Sequence, residues 1–420
     1  DENFKTLYSD VLSNNELEEY RFLLKNITEK SLDLTSKGTL IKAIKDAEML
    51  LKYSKDISDY EISLKQVKVL IDLCKKLGTL NFAIAARHAF ISEAILRSAV
   101  EINILDINKL NKFKQSIQTI SSSMIKEFTK VCKKEIDPSS FLKSFGHLRP
   151  GTYDINSYRY DERADIFENI ESVPSIIDVD SEFNLSKDEK LTFDKHIHEL
   201  FSHEFCAEDI FKHARLAIAS RERLKFIFTK FLSDALKIIT EWGKNNEFSR
   251  DDLAYIGIES LMNFGNRENK DLMITKIRSE INENKKNYNF SEKIKLPYII
   301  IRPSDIYIAT TNRITPNFIG RKKIIASVIQ LGPNSSSILD LKNKIICIEN
   351  ADPGFDWIFT KSIGALLTRF GGANSHMAVR CAELGIPAAI GCGDQVYERI
   401  IKSTKAEMNC SERIIRPIHG

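Results

Sequence analysis

The sequence predicts a multidomain chain, with a mostly α-helical domain over residues 1–288 and a compact α/β domain over residues 289–420. Three observations carry that division. At 420 residues the chain is too long for one ordinary core and points to two or three domains. As far as about residue 285, apolar side chains recur every three or four positions, the period of an amphipathic helix. From near Lys295 the pattern changes to short β-branched runs punctuated by Gly, Pro and Asn, which predicts strands alternating with short helices.

In the helical part, Leu17, Tyr20, Leu24 and Ile27 follow the candidate caps Asn14 and Asn15 at helical spacing. A Lys-rich stretch from Leu40 to Leu77 keeps the same period, and Asn81 to Val100 is apolar enough to predict a helix buried on most sides. Asp209 to Trp242 predicts another long helix. Two breaks interrupt the pattern. One is Gly146 to Arg163, where Pro150-Gly151 marks a turn; the other, 171–187, is acidic and aperiodic and predicts a loop or short strands. The expected strands of the second domain are Tyr298 to Ile301, Ile324 to Ile329, Ile345 to Ile348 and Ala388 to Ile390, with the junction between Lys285 and Lys295.

Composition removes several function classes. A formal charge of +3 from 61 basic and 58 acidic residues lacks the basic excess of a nucleic-acid surface. No apolar run reaches the roughly 20 residues of a membrane helix, and the opening Asp-Glu-Asn-Phe-Lys is no signal peptide. The first residue is not Met, so the chain is expected to be cut from a longer one. Its 7 cysteines are dispersed and none forms C-x-x-C, which suits reduced thiols and a cytoplasmic location and predicts no metal site.

The informative stretch is Gly364 to Gly393, GALLTRFGGANSHMAVRCAELGIPAAIGCG. Ala365, Leu366 and Leu367 predict a short apolar strand. Gly371 and Gly372 let the backbone turn and a bulky group approach closely. Asn374 and Ser375 are good helix caps, which places His376 in the first turn of a helix to about Leu384. Gly385 belongs at its C-terminal cap, and Pro387 stops continuation. Backbone N–H groups and the helix dipole favour an anion at that point. A neutral imidazole there can attack phosphorus and hold the phosphoryl group as a phosphoramidate. On these local features alone, that reading and a capping loop with an incidental histidine stay equally open.

The segment resembles the phosphohistidine signature of the phosphoenolpyruvate-utilising enzymes. Gly371-Gly372-Ala373-Asn374-Ser375-His376 and Glu383-Leu384-Gly385-Ile386-Pro387-Ala388 carry the likeness over about two dozen contiguous positions (Asn374 stands where the family commonly has Thr). The resemblance implies that residues 289–420 form a swivelling β/β/α phosphohistidine domain, with His376 as the phosphoryl carrier. It also implies an ATP-grasp module, expected upstream in the same polypeptide, that uses ATP and Mg2+ to load the histidine; no cofactor is expected on this chain itself. With 44 residues after His376, the barrel that follows the domain in phosphoenolpyruvate synthase and the pyruvate dikinase is not expected here. The order of parts resembles rifampicin phosphotransferase and the L-glutamine kinase of capsular phosphoramidate biosynthesis, and the loop 145–154 followed by Asn350 to Trp357 and GGANSHMAVR most resembles the latter. That likeness implies a small-molecule acceptor held by the helical part, with L-glutamine first, an antibiotic second, and a phosphocarrier acting on a protein partner as the reading from another class. Neither nucleic acid nor membrane is an expected partner.

Candidate acceptor residues lie in Gly146 to Asp154. Arg149 suits a carboxylate, Asp154 an amine and His147 acid–base work, with Tyr153 beside them; a purely structural loop in which Arg149 pairs with Asp154 is the alternative. A similar loop occurs in the helical part of the dikinase-like kinases, which favours function. Arg87-His88, on an apolar helix, either lines the acceptor pocket or forms a buried ion pair, with Glu93 as a candidate partner. Arg221-Glu222 with Lys225 reads as an ion-pair network or as part of the pocket. His196, His198 and His203 read as a solvated helix, because residues two apart face different ways.

Overall fold

The computed structural model describes residues 12–168, 183–201, 205–264, 270–291, 294, 296, 300, 302–307, 314–335, 339–373 and 375–418. They fall into two compact units, one from the described residues of Asp1–Ser54, Asp72–Ser123 and Asp178–Phe231, the other from those of Lys55–Ile71, Met124–Ile177 and Leu232–Gly420. Among the described residues no helix is long and apolar enough to cross a membrane.

The second unit holds the α/β part. Its sheet is built from β1 (Asn317–Ile319), β2 (Lys323–Gln330), β3 (Ile345–Asn350), β4 (Ala365–Phe370), β5 (Ala388–Ile390), β6 (Lys405–Asn409) and β7 (Ile414–Ile418), in the order β1-β5-β4-β3-β2-β6-β7. Strands β2, β3, β4 and β5 run parallel, while β1, β6 and β7 pair antiparallel to their neighbours. Side chains alternate across a strand, and here both faces are covered. Ile346, Ile348, Leu366, Ala388 and Ile390 join one apolar cluster with Trp357, Ile358, Met377 and Cys381. Ile345, Cys347, Ala365, Leu367 and Ala389 join another with Tyr397, Ile400 and Met408. Burial on both faces explains why these strands read as unbroken apolar runs rather than as alternation. Three of the expected runs coincide with β2, β3 and β5; Tyr298 to Ile301 falls largely outside the described residues, as does most of 171–187.

The first unit is helical, and some expectations need correcting. Helix Asn14–Ser31 begins from a capping box of Ser13 and Glu16, not from Asn14 or Asn15. Of its expected apolar face only Leu17 is buried, and Tyr20, Leu24 and Ile27 are exposed. Helix Leu80–Glu101 is buried along one stripe of mostly small residues (Asn81, Ala85, His88, Ala89, Ser92, Leu96 and Ala99) and not on most sides: Leu80 and Phe90 face solvent. The stretch from Leu40 to Leu77 is broken by short 3-10 turns between helices Thr39–Glu48 and Leu64–Leu73, and its residues Lys55–Ile71 belong to the second unit. The long helix extends over Ala207–Lys244, and its residues up to Phe231 belong to this unit.

A chain of polar groups runs from the exposed Thr39 to the buried His88, His213 and Ser92. Thr39 Oγ1 meets His88 Nε2 at 2.9 Å, His88 Nδ1 meets His213 Nε2 at 3.0 Å, and His213 Nδ1 meets Ser92 Oγ at 2.9 Å. Arg87 is exposed, and Glu93 pairs with Arg97 and Lys114, so the ion pair of Arg87-His88 with Glu93, one of the two alternatives, does not form. Burial disfavours charge on both rings, which lowers the His88 pKa and takes His213 down to about 4. A histidine with a depressed folded pKa stabilises the fold above its unfolded value of about 6.5 and loses that contribution as pH falls towards 4. The stability gap between wild type and His213→Gln should therefore narrow by about 3 kcal/mol between pH 7 and pH 4. Denaturant titrations at both pH values check this, and a pH-independent gap would contradict it.

Candidate functional site

Strands β3, β4 and β5 are parallel, so their C-terminal ends lie at one edge, and the loops leaving them meet there. After β4, Gly371 has φ +133°, and a Cβ there would lie 2.8 Å from the Ala351 methyl. After β5, Gly391 has φ +71°, and a Cβ there would lie 2.3 Å from the Gly371 carbonyl oxygen. The two loops thus pack backbone against backbone, which only glycine allows. Gly372 stands in open space. Asn374 lies outside the described residues. Ser375 is the N-cap, its Oγ accepting from the Ala378 amide at 3.4 Å, and His376 is the first residue of helix His376–Leu384. That helix ends at Gly385 with φ +62°. Free amides and the dipole at such an end favour an anion.

The loop after β3 supplies what the sequence reading missed. Asp352 caps a 3-10 helix, Pro353–Lys361, by accepting from the Gly354 amide at 3.0 Å. Within that helix Asp356 stands with Oδ1 at 2.7 Å from His376 Nε2. Their side chains are 7% and 12% exposed. A carboxylate only accepts, so Nε2 donates, and the pair selects one tautomer and one orientation of the ring. Asp356 Oδ2 has no hydrogen-bond partner and lies 4.0 Å from Arg380 Nε, which also has none. Arg380, one helical turn after His376, donates to Glu383 at 2.6 Å and lies over the Phe359 ring at 5.5 Å. A void of about 20 Å³ is lined by Phe128, Tyr160, Asp356, Thr360 and Arg380 among others. Asp356 had one signal in the sequence. It is an acid inside the apolar run Phe355 to Phe359, and a buried carboxylate needs a partner.

The loop 146–163 lies against that same 3-10 helix. The Tyr160 hydroxyl donates to the Gly354 carbonyl at 2.9 Å, and the Thr152 hydroxyl to Asp352 Oδ2 at 3.1 Å. A Cβ on Gly354 would lie 2.3 Å from the Pro150 nitrogen. Arg163 donates to the Ser335 carbonyl at 2.9 Å and lies over the Trp357 ring. Arg149 is not an open fork awaiting a carboxylate. It is buried, and it donates to the Ser233 hydroxyl and carbonyl and to the carbonyls of Asp154 and Ser157. Burial pulls its pKa down to about 10. The two bonds to Ser233 join the loop to the long helix, the other two close the loop on itself, and none goes to the Asp154 carboxylate, which accepts from the Asn156 amide at 2.9 Å. His147 is buried, and its carbonyl accepts from Ser233 Oγ at 2.7 Å; Tyr153 is exposed.

Arg87 and Arg221 belong to the other compact unit. There Arg221 is half-buried, Glu222 accepts from the Ser121 amide and hydroxyl, and Arg223 pairs with Glu48 at 2.9 Å. His196 bonds the Thr192 carbonyl, and His203 lies outside the described residues. Among the described residues no three His, Cys, Asp or Glu side chains gather as a metal ion requires.

Residues 340–412 match the family described as PEP-utilising enzyme, mobile domain. The stretch contains β3, β4, β5, Asp356, His376 and Arg380. A segment of 68 residues, 16% of this chain, is 35% identical to phosphoenolpyruvate synthase of Escherichia coli (strain K12), of which it spans 8%. The family match falls on the α/β part, and the two likenesses point to phosphohistidine phosphotransferase chemistry.

The position of Arg149 has a consequence for stability. Replacing it with Met strands several buried acceptors, and the loss should be about 3 kcal/mol or more. Denaturant unfolding of the Arg149→Met variant measures it; unchanged stability would mean that the side chain is not holding the loop.

Proposed function

We propose that this chain is the carrier and acceptor part of an ATP-dependent phosphotransferase of the dikinase-like type. His376 receives the phosphoryl group and passes it to a small-molecule acceptor, the side-chain amide of L-glutamine. The observation that carries the reading is the His376–Asp356 contact of 2.7 Å at the start of a helix. Once Nδ1 also carries a proton, Asp356 Oδ1 is within reach to take the Nε2 proton and leave the neutral ring with its lone pair on Nε2. The Nε2 lone pair then forms the bond to phosphorus as the bond to the leaving oxygen breaks. Transfer onward reverses these roles, and the acceptor nitrogen takes the phosphoryl group while Nε2 regains a proton.

In this reading ATP and Mg2+ act at an ATP-grasp module of the same polypeptide, with AMP and phosphate as products, and residues 289–420 move as the phosphohistidine domain. The preference for glutamine rests on the likeness of the loop 145–154 and of Asn350 to Trp357 to glutamine kinase. A second reading draws on a different observation. The helical unit contains a cavity of about 630 Å³, walled by Phe22, Ile95, Ile102, Phe193, Ile197 and Phe201 among others. Its size and mainly apolar lining, with Glu18, Arg21, Lys25 and Glu199 as charged members, suit a drug-sized ligand, which favours an antibiotic-like acceptor over an amino acid.

Full-length protein given ATP labelled separately at the β and γ positions tests both readings. The expected result is acid-labile label from the β position, absent in His376→Asn and discharged by glutamine. Label that survives glutamine but is discharged by a large apolar acceptor would select the second reading. No label on His376 would contradict the carrier role.

A further inference from the structure

We propose that Arg380 holds the phosphoryl group once His376 carries it, and that Asp356 competes with the phosphoryl group for that side chain. The inference rests on His376 being the carrier. It starts from an imbalance in the resting site. Asp356 Oδ2 and Arg380 Nε are both buried without a hydrogen-bond partner, 4.0 Å apart. A pair serving stability alone would close to a hydrogen bond of about 2.8 Å, because an unmade buried bond is costly. The guanidinium is instead fixed from its other end. Nη1 donates to Glu383 at 2.6 Å, the plane packs over Phe359, and the side chain is 6% exposed. Its Nε is left facing the carboxylate.

Phosphorylation changes which anion that Nε faces. Residues i and i+4 share a helix face, so Arg380 stands on the His376 side of its helix. A phosphoryl group on Nε2 removes the N–H that Asp356 accepts and adds a charge of roughly −1.5 to −2 beside a carboxylate that is 7% exposed. Asp356 loses its donor and is repelled, while the same charge attracts the waiting guanidinium. Its planar fork suits phosphate oxygens, and the side chain is already ordered, so little entropy is lost in the exchange. Arg380 therefore lengthens the lifetime of the phosphohistidine, and Asp356 shortens it.

The chain, His376→Asn, Arg380→Gln, Arg380→Lys and Asp356→Asn are each treated with potassium phosphoramidate, and phosphorus NMR follows the phosphohistidine signal. In the reaction the Nε2–P bond forms, the donor P–N bond breaks, and the proton from Nε2 leaves with the amine as ammonia. After donor removal, Arg380→Gln should hydrolyse at least about tenfold faster than wild type, with Arg380→Lys between them and Asp356→Asn slower than wild type. Arg380→Lys and Asp356→Asn decide the matter if the Gln variant fails to fold. Lifetimes within twofold of wild type in the Arg380 variants, or a shorter lifetime in Asp356→Asn, overturn the assignment while leaving His376 as carrier. No signal in wild type, or one that persists in His376→Asn, overturns the carrier reading and this proposal together.

Discussion

An imidazole that takes and gives a phosphoryl group must present one chosen nitrogen, and a free histidine interconverts its two tautomers without preference for a task. Here the choice is made by the buried contact between Asp356 Oδ1 and His376 Nε2 at 2.7 Å. The rest of the α/β part can be understood as the means of bringing those two groups together. Parallel pairing of Ile345 with Ala365 and of Asn350 with Phe370 places the ends of β3 and β4 side by side. The loop from one end leads to Asp356 and the loop from the other to His376. Two glycine backbones in contact, at Gly371 and Gly391, hold the edge compact, and apolar clusters on both faces keep the strands in place.

The same constraint explains the polar groups around the site. A carboxylate as buried as Asp356 is costly unless charge or hydrogen bonds offset it. His376 satisfies one oxygen, and Arg380 faces the other without bonding it. The loop 146–163 covers the 3-10 helix that carries Asp356 through Tyr160, Thr152 and the Pro150 backbone, so water has little access from that side. Arg149 serves this arrangement at a distance by tying the loop to Ser233.

Much of this was legible in local sequence. Strands β3 to β5 announce themselves as apolar runs because both faces are buried. The helix after His376 is bounded by Ser375 and Gly385, whose cap chemistry is local. What was not legible depends on partners far away in the chain. Asp356 meets a histidine 20 residues on, and Arg149 meets Ser233 84 residues on. Strand β6 hides its pattern because Glu407 and Asn409 are buried in it, Glu407 being paired with Lys323 and Arg416. Helix Asn14–Ser31 keeps its helical period although most of its apolar face is exposed, and periodicity alone does not say what a face touches.

The account turns on which nitrogen of His376 carries the proton in the unphosphorylated chain. Heteronuclear NMR of nitrogen-labelled imidazole at neutral pH reads this directly. The account predicts a protonated Nε2 and a lone pair on Nδ1 in wild type, with that preference lost in Asp356→Asn. A protonated Nδ1 in wild type, or the same tautomer mixture in both proteins, would contradict it.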